Sequence, residues 1–452
     1  MKQTAAQRTS VLQTPAHQTP AHRDTLVTGM GFCLPGGGER PCTDRAAFWD
    51  TVSTGTSHVH RDAVHFGRIG SALPETLAAL LPDLPAAYQA NYSAVQRYGL
   101  VSLGAACADI GLRPGRDTRD SAVLVARVGA DAWYDPYADA LAADPATVEP
   151  RRARRLINRT MLAGGVSDVT SVQAAVLDST GPQLAASCGC ASSAVLLGVA
   201  HRMIATGEAD LVFVTGADHY EIDRLLHYKA LGDVVVPPPG PDAPPPDAEF
   251  LVHGPMRPYD RMARGFNVGN GSVTLVLESR QGAARAGRAP LCRLVAQATR
   301  SAGGTSALAV DTTGAGPAAA IRAVLDGRLA PDAVDYVNGA ATGDLVFNRI
   351  EAAVMDRVFG RRARELPVSV QEACFGHSGA PLGALGVAVT ALSLARAEIC
   401  PTAGCEDPDE VLTFDPVPGT KARPARLRHA LSINHAMGGV ASAVLLEAEH
   451  DG

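Results

Sequence analysis

The chain has 452 residues, 46% of them apolar and 19% charged, enough apolar material for one large core or two fused ones and unlike a disordered chain. A net charge of -6 and a pI near 6.1, with no long basic run, argue against electrostatic capture of nucleic acid or an anionic membrane, leaving small molecules or proteins as partners. Nine scattered cysteines, an odd number with no Cys-x-x-Cys pair, suggest neither a disulfide framework nor a zinc site and predict the reduced thiols of a cytoplasmic protein.

Residues 1–24 are polar and carry the near-duplicate QTPAH QTPAH, with no apolar stretch fit for a signal peptide or a membrane span, so they read as a disordered leader. His17 and His22, five apart on that tail, read as solvated residues and not as metal ligands. Structure is expected from Thr25, where LVTGMGF closes on glycine, and helical character follows over residues 42–52. Apolar strand candidates then recur at 122–126, 210–214, 271–277, 291–295, 333–337 and 441–446. Ala- and Leu-rich helical stretches lie between them at 193–206, 317–326, 348–358 and 382–397. This alternation predicts an α/β protein with buried sheets covered by helices.

Two internal echoes suggest a duplication. GSVTLVLE at 271–278 resembles GVASAVLLE at 439–447, and Gly189-Cys190 and Gly376-His377 each precede an Ala/Leu/Gly-rich helix. The chain is therefore divided into halves at 25–285 and 286–450. Residues 237–247 (PPPGPDAPPPD) cannot continue a helix or a central strand and are expected as an extended surface loop, serving as a linker, a flap over the site or a docking surface.

The run LAASCGCASSAVLLG sets Cys190 in a small-residue turn directly before a helix. There the unpaired backbone N–H groups and the positive end of the dipole stabilise a thiolate, which makes the sulfur nucleophilic near neutral pH. The same stretch resembles the nucleophile segment of β-ketoacyl synthases. Collinear resemblances follow from Thr25 onward: VTGMGFCLPGGGERPCTDRAAFWDTVSTG, RPYDRMARGFNVGNGSVTLVLE, VDYVNGAATGDLVFNRIEAAVMDRVFG, SVQEACFGHSGAPLGALG and SINHAMGGVASAVLLE.

The resemblance implies the thiolase fold, two similar βαβ-rich halves in a five-layered α-β-α-β-α sandwich, and a homodimer. It also implies a substrate presented on the phosphopantetheine of an acyl or peptidyl carrier protein, with no bound cofactor and no metal. In the family, the acyl chain moves to the cysteine, and two histidines then decarboxylate a malonyl thioester for the condensation.

Departures from the family pattern cluster around that second step. With Glu351 in register, the first motif histidine is Ala340, followed by Ala341 and Thr342. His377 keeps the second histidine position, but the lysine five residues earlier is Glu372. The glutamate of Gly-Glu-Gly is Asn270, the gating phenylalanine is His435, and Met437 takes the second phenylalanine. Phe375, with Ala340, Thr342, Asn270 and Met437, is expected in the substrate pocket. Enolate charge needs donors, one of which is now a methyl group, and a carboxylate at Glu372 would repel that charge. The expectation is thus loading on Cys190 followed by acyl transfer or ring closure by aldol addition or lactonisation, with His377, Glu372 and His435 as bases or donors.

The rivals are a silent chain-length-factor-like partner, an elongating synthase in which His435 replaces the lost histidine, and a thiolase using coenzyme A thioesters, whose second reactive cysteine finds no matching motif at Cys400 or Cys405. Plainer roles also exist: a core histidine for His377, a pocket-shaping ring for His435 and an arginine ion pair for Glu372. Arg151, Arg152, Arg154 and Arg155 are either a solvated helix face or a docking patch for an acidic carrier.

Overall fold

Strands buried on both faces read as unbroken apolar runs, and the two longest fully buried ones here, TLVTGMGFC and GSVTLVLES, lie side by side in a ten-stranded sheet. The structure, a computed structural model, describes residues 23–61, 65–128, 140–163, 165–235, 254–303 and 310–449. The QTPAH duplication and the 237–247 segment lie outside the described residues. Arg23 and Asp24, assigned above to the leader, are instead tied to the fold by ion pairs to Asp210 and Arg280.

The first half contributes β1 (Thr25–Cys33), β2 (Ala122–Ala126), β3 (Gln183–Ala186), β4 (Leu211–Asp218) and β5 (Gly271–Ser279). The second contributes β6 (Cys292–Ser301), β7 (Tyr336–Asn338), β8 (Val368–Ser369), β9 (His429–His435) and β10 (Val440–Glu447). Across the sheet the order is β8-β7-β9-β10-β6-β1-β5-β4-β2-β3. Each half therefore repeats one plan: its third, second, fourth, fifth and first strands lie in that order. The directions repeat as well, since the two outermost pairings of each half are parallel and the next two antiparallel. Three residue pairs between β1 and β6, Thr25 with Leu294 to Val27 with Cys292, join the halves.

The principal helices are α1 (Arg45–Thr54), α2 (Ala94–Asp109), α3 (Pro150–Ala163), α4 (Asp168–Leu177), α5 (Ser192–Thr206), α6 (Ala315–Leu325), α7 (Leu345–Phe359) and α8 (Leu382–Arg396). Local signals set their starts: Asp44 accepts the Ala47 N–H to cap α1, and Ser93 with Gln96 forms a capping box on α2. Helices α2 and α4 cover the outer face of the first half, and α6 and α7 that of the second. Helices α5 and α8 pack on each other and on strands of both halves, forming the middle of the expected five layers. Strand alternation confirms this: Ala122, Leu124 and Ala126 face the central core, while Val123 and Val125 face the α2 side. Among the described residues no helix is long and apolar enough to cross a membrane.

The two central helices meet near their N-termini. Ser193 Oγ of α5 accepts the Ala384 N–H of α8 at 2.9 Å and donates to the Ala380 carbonyl. Gly383 permits the approach, because a Cβ there would lie 2.4 Å from the Ala194 nitrogen. A buried charge cluster braces the same corner: Arg127 bonds Asp168 at 2.7 Å and lies 3.5 Å from Asp218, and Asp218 accepts the Ala380 N–H at 2.7 Å. Gly383→Ala must displace backbone, an overpacking cost of roughly 1–3 kcal/mol. Its expected outcome is a lower denaturant midpoint together with slower alkylation of Cys190 by iodoacetamide, measured on the same preparation.

Candidate active site

The repeated plan sends each third strand through a turn into a central helix, so β3 leads to Cys190 and α5, and β8 leads to His377 and α8. Both residues follow a glycine with positive φ, Gly189 at 59° and Gly376 at 85°. At Gly376 a Cβ would also lie 2.9 Å from the Val268 carbonyl. The echo between Gly189-Cys190 and Gly376-His377 is thus a structural equivalence. The strands of the other echo, β5 and β10, are likewise the fifth of each half.

Cys190 Sγ lies 3.0 Å from His377 Nε2, and His377 Nδ1 is hydrogen-bonded to Glu372. Glu372 opens a single turn, and the Gly376 N–H donates to its carbonyl at 2.9 Å, which folds the chain back so that carboxylate and imidazole meet. The His377 N–H donates to the Asn267 carbonyl at 2.6 Å, and its ring packs 5.0 Å from that of Phe266. Neither the arginine pair considered for Glu372 nor a purely backbone-bonded His377 is what the structure contains. Burial alone would depress the imidazole, yet the facing Cys190 and Glu372 charges outweigh it and hold His377 well above the usual histidine range.

The environment singles out one sulfur among nine. Seven cysteines are buried, and burial pushes Cys42, Cys107, Cys400 and Cys405 up to about 12. Cys188 is half-buried and also pushed up by desolvation. Among the described residues, Cys190 alone has an imidazole on its sulfur.

One cleft brings together Cys190, His377, Glu372, Ala340, Thr342 and His435. Thr342 donates to Asp344 at 2.9 Å, and Asp344 in turn caps α7. His435 Nε2 lies 3.1 Å from Glu351 Oε1, and that same oxygen accepts the Ala340 N–H at 2.8 Å. Tyr259 donates to the other Glu351 oxygen. Burial and the neighbouring carboxylate keep the Tyr259 phenol well above its usual range, so it serves as a donor.

Three expected pocket residues lie elsewhere. Phe375 is fully buried and stacks on Phe48 with ring centroids 5.7 Å apart, because the turn that aims Glu372 and His377 at the cleft sends it into the core. Met437 is 57% exposed, carried outward by the turn Met437–Gly439. Asn270 accepts the Tyr220 N–H at 2.6 Å and supports that segment, not the cleft wall. Arg151, Arg152, Arg154 and Arg155 sit exposed on α3.

Sequence reasoning used Glu351 only as a register mark and missed Tyr259 and Asn434. The available signal for Glu351 was an acid inside the buried stripe of α7, beside Asn348, Ala352 and Met355.

Residues 22–283 match the family Beta-ketoacyl synthase, N-terminal domain, and residues 291–406 match Beta-ketoacyl synthase, C-terminal domain. The chain is similar to the tetracenomycin polyketide synthase ketoacyl synthase alpha subunit of Streptomyces glaucescens, 30% identical over 440 residues covering 93% of this chain and 96% of that one. It is 24% identical to the 3-oxoacyl-[acyl-carrier-protein] synthase 2 of Coxiella burnetii, over 95% and 99% of the two chains. Among solved structures, the ishigamide ketosynthase/chain length factor superposes with a TM-score of 0.75 at 21% identity, covering 95% of this chain and all of that one. A type II polyketide ketosynthase solved with its acyl-carrier protein and bound to a hexaketide superposes at 0.74 with 18% identity, again over 95% of this chain and 100% of that one. With its thiolase fold and its cysteine and histidine in place at the centre, the chain belongs to the β-ketoacyl synthase family.

Proposed function

We propose that this protein loads an acyl or peptidyl chain from a carrier protein onto Cys190 and passes it to a protic acceptor, external or within the chain itself, without decarboxylation. The observation that carries this reading is the Glu372–His377–Cys190 line, a carboxylate, imidazole and sulfur in the relation of a hydrolytic triad. In loading, the thiolate attacks the carrier thioester carbonyl, the carbon–sulfur bond to phosphopantetheine breaks, and His377 gives its proton to the departing sulfur. Glu372 holds that proton ready on the ring and fixes which nitrogen faces the sulfur.

Elongation asks for something else: two neutral imidazole donors around a developing enolate oxygen. Ala340 offers a methyl group there, and the N–H of His435 is taken by Glu351. The Glu372 carboxylate beside His377 disfavours further negative charge. A silent partner would have no use for an imidazole hydrogen-bonded to the sulfur that lines the cleft.

The acyl-carrier protein seen with a related ketosynthase supports a carrier as donor. Strand β3 ends the sheet with an open edge and Leu184 41% exposed, which supports pairing with a second copy.

Incubation with acylated carrier proteins is expected to add one acyl mass to the protein and none to Cys190→Ala, read by intact-protein mass spectrometry. With malonyl-carrier present as well, no CO2 should evolve; steady CO2 release with a ketoacyl product would sink the non-elongating reading. Glu372→Gln removes one of the charges holding the proton on His377, so the alkaline limb of the pH–rate profile for Cys190 acylation should move to lower pH. An unchanged profile in a folded variant would remove Glu372 from the mechanism. Sedimentation equilibrium should return twice the chain mass.

A further inference from the structure

Beyond the line from Glu372 to Cys190, the cleft holds a second imidazole with its own carboxylate. His435 ends β9, and its Nε2 faces Glu351 Oε1 at 3.1 Å. Glu351 is fully buried on α7 and receives two further donors, the Ala340 N–H and the Tyr259 hydroxyl. Because the carboxylate is the acceptor, the His435 proton sits on Nε2 and the lone pair on Nδ1. No protein hydrogen bond reaches that Nδ1 among the described residues, and the ring lines the cleft. Next to it, Asn434 is 6% exposed, also lines the cleft, and has an Oδ1 without a partner. Ala340 lines the same cleft, its N–H held by Glu351 Oε1.

A lone pair and an unspent amide side by side on one cleft wall describe a seat for a group that brings its own proton. We propose that His435 is the base of the second step and that Asn434 orients the acceptor, an alcohol, an amine or water; this rests on the acyl-enzyme reading above. The acceptor's lone pair forms the bond to the acyl carbon, the carbon–sulfur bond to Cys190 breaks with its electrons going to sulfur, and the acceptor's proton moves to His435 Nδ1. His435 then returns the proton to solvent, and His377 takes one up to restore the resting pair. Two imidazoles thus divide what a lone one would do in succession: His377 serves the sulfur, and His435 serves the acceptor.

Titratable groups face His435 from several elements. Glu351 lies behind it, Asp311 bears on it from the segment before α6, and Cys190, His377 and Glu372 lie across the cleft.

The test separates loading from release. The full chain is charged with the hexanoyl thioester of N-acetylcysteamine, and both growth and decay of the Cys190 adduct are followed by intact mass, with water as acceptor. His435→Phe is expected to load as the wild type does and to lose the adduct about 100-fold more slowly, and the acid limb of the wild-type decay profile should vanish. In His435→Ala, imidazole added to the buffer should restore decay, a rescue that a merely structural role would not give. Decay at the wild-type rate in His435→Phe overturns the proposal, as does a slow His435→Ala enzyme that imidazole leaves slow. A wild type that never forms the adduct overturns the acyl-enzyme reading and this one with it, an outcome separable from normal loading with unchanged decay, which overturns this one alone.

Discussion

The chemistry of this protein depends on the contact between α5 and α8. Ser193 bonds across it, Gly383 lets the backbones close, and Asp218 holds the Ala380 end in place. Without that contact the sulfur and the imidazole would belong to two separate turns. With it, two helix N-termini converge, and their partial positive charges favour a thiolate and oppose an imidazolium. Glu372 offsets the second effect. The carboxylate that departs from the family pattern is therefore what allows a charged histidine to sit between two positive helix ends.

The labour is divided unevenly between the halves. The first half supplies the nucleophile, while both imidazoles and both carboxylates backing them come from the second. Each histidine is committed through one nitrogen to a carboxylate and keeps the other for the cleft. The two units nevertheless differ in burial and in direction. Glu372 sits in the same turn as its histidine, whereas Glu351 reaches His435 from a neighbouring helix and is also bonded to Tyr259 and the Ala340 N–H. The first pair is set by local chain geometry and the second by tertiary packing.

That difference explains what could be read from sequence. Long strands buried on both faces, such as Ala122–Ala126 and Gly271–Ser279, announce themselves as apolar runs. Val368–Ser369 and Gln183–Ala186 do not, because two to four residues are defined only by their pairing. His429–His435 was hidden for another reason: Ser432, Asn434 and His435 make a buried strand look polar, and two of those residues line the site. Cys190, His377 and Glu372 were legible because helix starts and short turns are local. Phe375 and Met437 were misplaced because neighbours in a tight turn point in opposite directions, which spacing alone does not reveal. Glu351 escaped because its partner lies 84 positions away.

The repeated strand order has a stereochemical consequence. It sets the turns that carry Cys190 and His377 at equivalent places in the two halves. Two identical residues there would give a substrate no reason to prefer one orientation. Sulfur from one half and imidazole from the other abolish that degeneracy, so a carbonyl brought to the pair meets its nucleophile from the first half and its proton donor from the second. In this reading the side from which that carbonyl is attacked is set by which half carries the cysteine.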